Sequence, residues 1–348
     1  MQVLRALAAL AVGVQHTIRQ AGGFVGRPGE PVYAWLGPVP FGAGVDVFFV
    51  ISGFVMVWAS GLLFGRPHAS WRFASRRLAR VVPLYWAATA LLLAVGVILP
   101  GTVSESAPSA GFVVASFLFV PWMRPDGWVQ PVYRLGWTLN YEMLFYGIFS
   151  LFIPLRARVA VPCVIACIVG LACLGGVSQP TATAPRFWTD SLILEFAFGV
   201  LLAVIAPRVS LAAPARILLV VVGLAGLGLA DTLPQVPHGI THGLPSFALC
   251  AGVVLGARSA VRSPLMRMGV RLGDASYALY LVHPFAMRGL AMVWSKAGSA
   301  GSVGILGYIV AVMGATVVLA WGVHLWIERP LTAAARHSLR VLGPVRVS

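Results

Sequence analysis

The sequence predicts an all-α fold: a polytopic integral membrane bundle of about ten transmembrane helices, with the N- and C-termini cytoplasmic. Three observations predict it. Hydrophobic residues make up 59% of the chain, charged residues only 10%, and mean hydropathy is +0.88. A soluble domain carries about 25% charged residues, so much of this surface must meet lipid. Apolar stretches also reach, again and again, the roughly 20 residues that cross a hydrocarbon core about 30 Å thick. Finally, the arginines gather at alternate connections. Stretches of this length fit helices, not the ten-residue alternation of an outer-membrane barrel.

The spans fall near 2–18, 43–62, 81–99, 136–154, 159–177, 188–206, 214–230, 242–257, 275–295 and 303–327. The first resembles a signal core, but no small-residue cleavage site and soluble mature chain follow it. Segment 111–120 is apolar yet too short to cross, which makes it re-entrant or interfacial; it lies in the longest connection, 100–135. The chain shows no repeat and no second domain, so one membrane domain over 1–348 is expected. Cys163, Cys167, Cys173 and Cys250 all sit in apolar stretches without a Cys/His metal spacing; they read as small buried hydrophobes, with no metal and no disulfide framework expected.

With the N-terminus inside, the inner segments hold Arg5, then Arg66, Arg72, Arg76, Arg77 and Arg80, Arg156, Arg158, Arg208 and Arg216. They continue with Arg258, Arg262, Arg267, Arg271, Arg329, Arg336, Arg340 and Arg346, making 18 of the 25 basic residues. The outer segments hold Arg19, Arg27, Arg124, Arg134, Arg186 and Lys296, while Arg288 lies within a span. This is the positive-inside bias of a multi-pass membrane protein with both termini cytoplasmic. It accounts for the net charge of +15 without nucleic acid, since the basic residues punctuate loops instead of forming one patch.

Ionisable groups inside spans cost several kcal/mol unless paired or solvated, so each is a functional candidate. Arg5 and His16 stand about three turns apart on one helical face, roughly 16 Å along the axis. Read blandly, they are an inner anchor and an interfacial histidine. Asp46 sits at the outer end of span two, in a run Gly44-Val45-Asp46-Val47-Phe48-Phe49-Val50-Ile51-Ser52-Gly53-Phe54 whose glycines and Ser52 permit close helix contact; Asp46 can equally cap the helix. Arg76, Arg77 and Arg80 crowd the inner mouth of span three, where arginine forks bind phosphate or simply mark the inside. In Gly136-Trp137-Thr138-Leu139-Asn140-Tyr141-Glu142, the carboxylate has Thr138 and Tyr146 one turn either side, and its plain reading is a buried structural acid. Tyr280 and His283 share a face ahead of Pro284, which loosens the helix there. His324 and Glu328 read as a packing pair.

Taken in order, these pieces resemble the membrane acyltransferase family called acyltransferase 3, most closely its exopolysaccharide-modifying branch. The carrying residues are Arg5 with His16 after ten intervening positions, the 44–54 run, Arg77-Leu78-Ala79-Arg80, the 136–142 run, and Tyr277-Ala278-Leu279-Tyr280-Leu281-Val282-His283-Pro284. The resemblance covers essentially the whole chain; the appended esterase-like domain of larger members has no counterpart. It implies transfer of an acyl group, usually acetyl from cytosolic acetyl-CoA used as donor substrate with no bound cofactor. The acceptor it implies is a hydroxyl of an exopolysaccharide, glycolipid or lipid-linked glycan, with the polysaccharide synthesis machinery as an expected partner. It also implies that Arg5 with His16, and Arg77 with Arg80, are the functional pairs.

The chemistry of the residues agrees. Arginines at the inner mouth, Arg5, Arg76, Arg77 and Arg80, suit the phosphates of acyl-CoA, whose thin pantetheine arm suits an apolar channel. His16 then takes the hydroxyl proton as general base, or carries the acyl group as a transient acyl-histidine, with Asp46 or Glu142 orienting the ring. Ser52, Asn140, Tyr141, Tyr280 and His283 are left as acceptor contacts or supports. A transporter or flippase is the competing class, but no related halves point to inverted repeats. A purely structural partner of a synthase leaves Asp46 and Glu142 unexplained.

Overall fold

The hydrocarbon interior offers no water to backbone amides, so a chain this apolar must satisfy them within each segment. The computed structural model describes residues 1–22, 35–37, 39–99, 108–256, 263–297 and 301–341. Among these the chain is helical and holds no strand, only an isolated bridge between Met123 and Val129. Arg27, Arg258, Arg262 and Arg346, which contribute to the orientation argument, lie outside the described residues.

Helices α1 to α8 are Gln2–Ala21, Gly44–Ala59, Ala69–Ile98, Ala110–Phe117, Trp137–Phe152, Ala157–Ser178, Thr183–Trp188 and Leu194–Ile205. Helices α9 to α13 are Ala213–Leu229, the single turn His238–Thr241, Gly243–Val254, Pro264–Asp274 and Ser276–Ala297. Helix α14, Gly301–Val323, runs through a π-turn at His324–Glu328 into α15, Arg329–Val341.

Among the described residues, six helical stretches are long and apolar enough to cross a membrane: Phe41–Ala59, Ala69–Ile98, Ala157–Ser178, Thr183–Ile205, Ala213–Thr232 and Gly304–Leu339. The other four expected spans also form helices. However, α5 has 16 residues and α11 has 12, while α1 and α13 are long enough but carry Arg5, His16 and Arg19, or His283 and Arg288. Helix α3 begins well before the expected 81, because Ala, Arg and Leu are good helix formers. Its 30 residues place Arg72, Arg76, Arg77 and Arg80 on the helix itself. The 111–120 segment is the eight-residue α4, too short to cross.

The chain divides into two compact units, Met1–Ile51 with Val204–Trp326, and Ser52–Ala203 with the chain from Ile327. In the first, α1 packs on α12, α13 and α14. Ile18, Ala21, Met287, Ile305, Tyr308, Ile309 and Val312 form a core there, and the Tyr308 hydroxyl lies 2.7 Å from Gln20 Oε1. Gly44 brings α2 against α1: a β-carbon would overlap the Ala8 carbonyl oxygen and lie 2.9 Å from Val12 Cγ2. In the second unit α3 packs on α5 and α15. Phe73 lies 4.8 Å from Phe149 and Phe145 4.6 Å from Phe196, ring to ring. The connection before α5 is pinned by Asp126, which pairs with Arg134 at 2.7 Å and accepts from the Trp128 amide at 3.2 Å.

Candidate active site

Helix α1 is continuous from Gln2 to Ala21, so Arg5 and His16 keep the three-turn spacing read from sequence. In the first unit, His16 Nδ1 lies 2.8 Å from Nε2 of His283, with ring centroids 5.0 Å apart. Gly13, one turn before His16, lies against the Met313 side chain: a β-carbon there would stand 3.2 Å from Met313 Cε and in ordinary contact, 3.9 Å, with His283 Cβ. His283 is 1% exposed. Pro284 has no amide to offer the Tyr280 carbonyl. The Tyr280 and Leu279 carbonyls face the His283 ring, although its Nδ1 completes no hydrogen bond. That environment favours a proton on Nδ1 and leaves Nε2 as an acceptor. With the tautomers assigned in that way, His16 Nδ1–H donates to it and the His16 lone pair lies on Nε2.

Asp46, in the first turn of α2, is 5% exposed, and its Oδ1 lies 2.6 Å from His238 Nε2. Sequence reasoning missed His238. The signal was there: His238 and His242 stand four residues apart ahead of an apolar stretch, one helical turn, and their rings stack 4.0 Å apart. Asp46 is therefore engaged by His238, and the partner of His16 Nδ1 is an imidazole, not a carboxylate. Arg5 reaches Gln2 Oε1 at 3.4 Å near the start of α1, and Tyr280 lies 6.1 Å from the His283 ring.

The second unit holds a separate cluster. Glu142 accepts from the Tyr146 hydroxyl at 2.6 Å and from Ser52 Oγ at 3.1 Å. Arg77 interacts electrostatically with both Tyr146 and Glu142, and its guanidinium sits 5.7 Å from the centre of the Phe73 ring. Arg77 and Arg80 are half-buried, whereas Arg76 is exposed. The arginine triplet thus divides: Arg77 faces the carboxylate and Arg76 faces out. Tyr141 stacks on Phe187 at 4.0 Å, a packing role. Asn140 is 1% exposed, and neither its Oδ1 nor its Nδ2 has a hydrogen-bond partner among the described residues.

A multi-pass helical membrane protein that seats paired imidazoles and a tyrosine-bound carboxylate within its helices has the equipment of an intramembrane group-transfer enzyme. The chain belongs to the acyltransferase 3 family: the family model described as Acyltransferase domain, Acyl_transf_3, matches residues 1–325. It is 35% identical over 300 residues to the exopolysaccharide production protein ExoZ of Rhizobium meliloti (strain 1021), covering 84% of this chain and 90% of that protein. It is 26% identical over 323 residues to the acyltransferase MdmB of Streptomyces mycarofaciens, covering 82% of this chain and 79% of that one. No solved structure matches the chain. The protein is thus a membrane acyltransferase.

Proposed function

We propose that this acyltransferase moves an acyl group, acetyl in the simplest case, from cytosolic acyl-CoA to a hydroxyl of an exopolysaccharide or lipid-linked glycan. In this reading it sits in a bacterial inner membrane with both termini cytoplasmic. The observation that carries it is the His16–His283 contact at 2.8 Å, on the helix that also bears Arg5. A neutral imidazole with its Nδ1–H held and its Nε2 lone pair presented is poised to take a proton from an attacking hydroxyl. The name of ExoZ supports a polysaccharide acceptor. The transporter reading has no observation of its own.

A second route is favoured by one detail. His283 Nε2 is placed to accept the Nδ1 proton that His16 must shed on becoming an acyl-histidine. In that relay His16 carries the acyl group between donor and acceptor.

Arg77 and Arg80 hold the phosphates of the donor in this account. Arg77→Ala or Arg80→Ala is expected to weaken acetyl-CoA binding about tenfold or more, since a lost hydrogen bond to a charged group costs about 1.5–3 kcal/mol. Arg76→Ala, at an exposed position, should have the smallest effect of the three. Calorimetric titration of the purified protein checks this. Unchanged affinity in the Arg77→Ala/Arg80→Ala double variant would leave these arginines as topology signals alone.

A further inference from the structure

We infer that the hairpin at 122–130 is a glycan-binding surface, with the Trp128 indole as the platform on which a sugar ring of the acceptor stacks. The inference rests on the acyl-transfer reading, which makes the acceptor a glycan. It also rests on the arginine bias, which puts the 100–135 connection on the non-cytoplasmic side.

The sequence builds the hairpin locally. Met123 and Val129 pair as an antiparallel bridge around Arg124-Pro125-Asp126-Gly127-Trp128. Pro125 presets the first bend of the loop, and Gly127 closes it with a φ of +81°, a conformation that L side chains rarely adopt. The Gly127 amide donates to the Arg124 carbonyl at 3.0 Å, and the Arg124 amide to the Trp128 carbonyl at 2.9 Å. Side chains then lock the turn. Asp126 accepts from the Trp128 amide at 3.2 Å and pairs with Arg134 at 2.7 Å and Arg124 at 3.4 Å. The Arg124 guanidinium also sits 5.5 Å from the centre of the Phe112 ring, which lies 6.3 Å from that of Trp122. Past the turn, the Val132 amide donates to Ser116 Oγ at 2.9 Å, and the Tyr85 hydroxyl donates to the Ser116 carbonyl at 3.0 Å. The hairpin is thereby tied to α4 and, through it, to α3.

This well-braced loop leaves its largest side chain out: Trp128 is 65% exposed, and Trp122 at the hairpin's base is 41% exposed. A sugar ring has an apolar C–H face rimmed by hydroxyls. An indole face covers the first at a low cost in side-chain entropy. A carboxylate and a guanidinium held in fixed geometry serve the hydroxyls as acceptor and donor. The hairpin offers both together, Trp128 with Asp126 and Arg134, whose side chains are 37% and 56% exposed. A platform already rigid binds without the entropy cost of ordering a loop. Arg124, Asp126 and Arg134 around the indole keep the tip out of hydrocarbon, so it belongs to the wet layer in which a polysaccharide runs. The surface holds the polymer and takes no part in the chemistry.

The test uses the full-length protein in nanodiscs and the host's own alkali-de-esterified polysaccharide. Binding is read by calorimetry without acetyl-CoA, and ester formation is then followed with it. Trp128→Ala should weaken polysaccharide binding and raise the polysaccharide KM by about tenfold or more, the scale of losing an aromatic anchor. Its kcat, acetyl-CoA affinity and melting temperature should stay at wild-type values. Trp128→Tyr, which restores a ring face, should recover most of the binding. Unchanged polysaccharide binding and KM in Trp128→Ala would overturn the inference; that is the outcome if the indole only rests among lipid headgroups. A fall in kcat with binding unchanged would overturn it too. A wild type that binds the polysaccharide and forms no ester would instead sink the parent reading, and the binding of the two variants would still decide this one.

Discussion

His16→Ala should leave a folded protein that binds acetyl-CoA and transfers the acyl group roughly 10²–10⁴-fold more slowly. The substitution removes the nitrogen that reacts in either route, so its effect falls on the chemical step and not on donor affinity. Some stability should also be lost, because His283 Nε2 is left buried without its partner 2.8 Å away. An unsatisfied buried group costs about 1–3 kcal/mol. If His16 were only a structural partner of His283, that stability loss would be the whole effect. Turnover per mole of folded, donor-binding protein separates the two, and near wild-type turnover would remove His16 from the chemistry.

Gly53→Ala should be among the most damaging single-carbon changes in the second unit. A β-carbon at Gly53 would overlap the Phe196 carbonyl oxygen and lie 3.0 Å from the Val200 amide nitrogen, both backbone atoms of α8. No side chain can swing aside, so the two helices must part and the packing along them is lost. Overpacking of this kind costs about 1–3 kcal/mol, and more where backbone must move. Gly147→Ala in α5 is the matched control, since nothing lies within 4 Å of its added carbon. A helical alanine there should stabilise by about 0.5–1 kcal/mol. Thermal melts in detergent check both, and equal melting temperatures for the two variants would refute the close α2–α8 contact.

Helicity and membrane residence were legible because hydropathy reports them directly, and the helices fall where apolar runs were read. Helix limits were less so. The 69–80 stretch looks polar by hydropathy, yet it is helix, and it carries Arg72, Arg76, Arg77 and Arg80 on α3. Glu142 and Tyr146 were legible as neighbours, one turn apart on a helix, and they do meet at 2.6 Å. The pairing of His16 with His283 was not, because it spans 267 residues and depends on how α1 meets α13. Sequence reasoning sought a carboxylate for His16, the usual partner of a base. It passed over His238 because two histidines between spans look like an ordinary connection until the fold sets one of them on Asp46.

Transfer from acyl-CoA to a glycan hydroxyl is tested most directly by following both products at once. Purified protein in nanodiscs, given [14C]acetyl-CoA and de-esterified polysaccharide, should release free thiol and incorporate label into alkali-labile ester in equal amounts, with both lost in His16→Ala. Thiol release that polysaccharide does not accelerate, with no label in the polymer, would contradict the account.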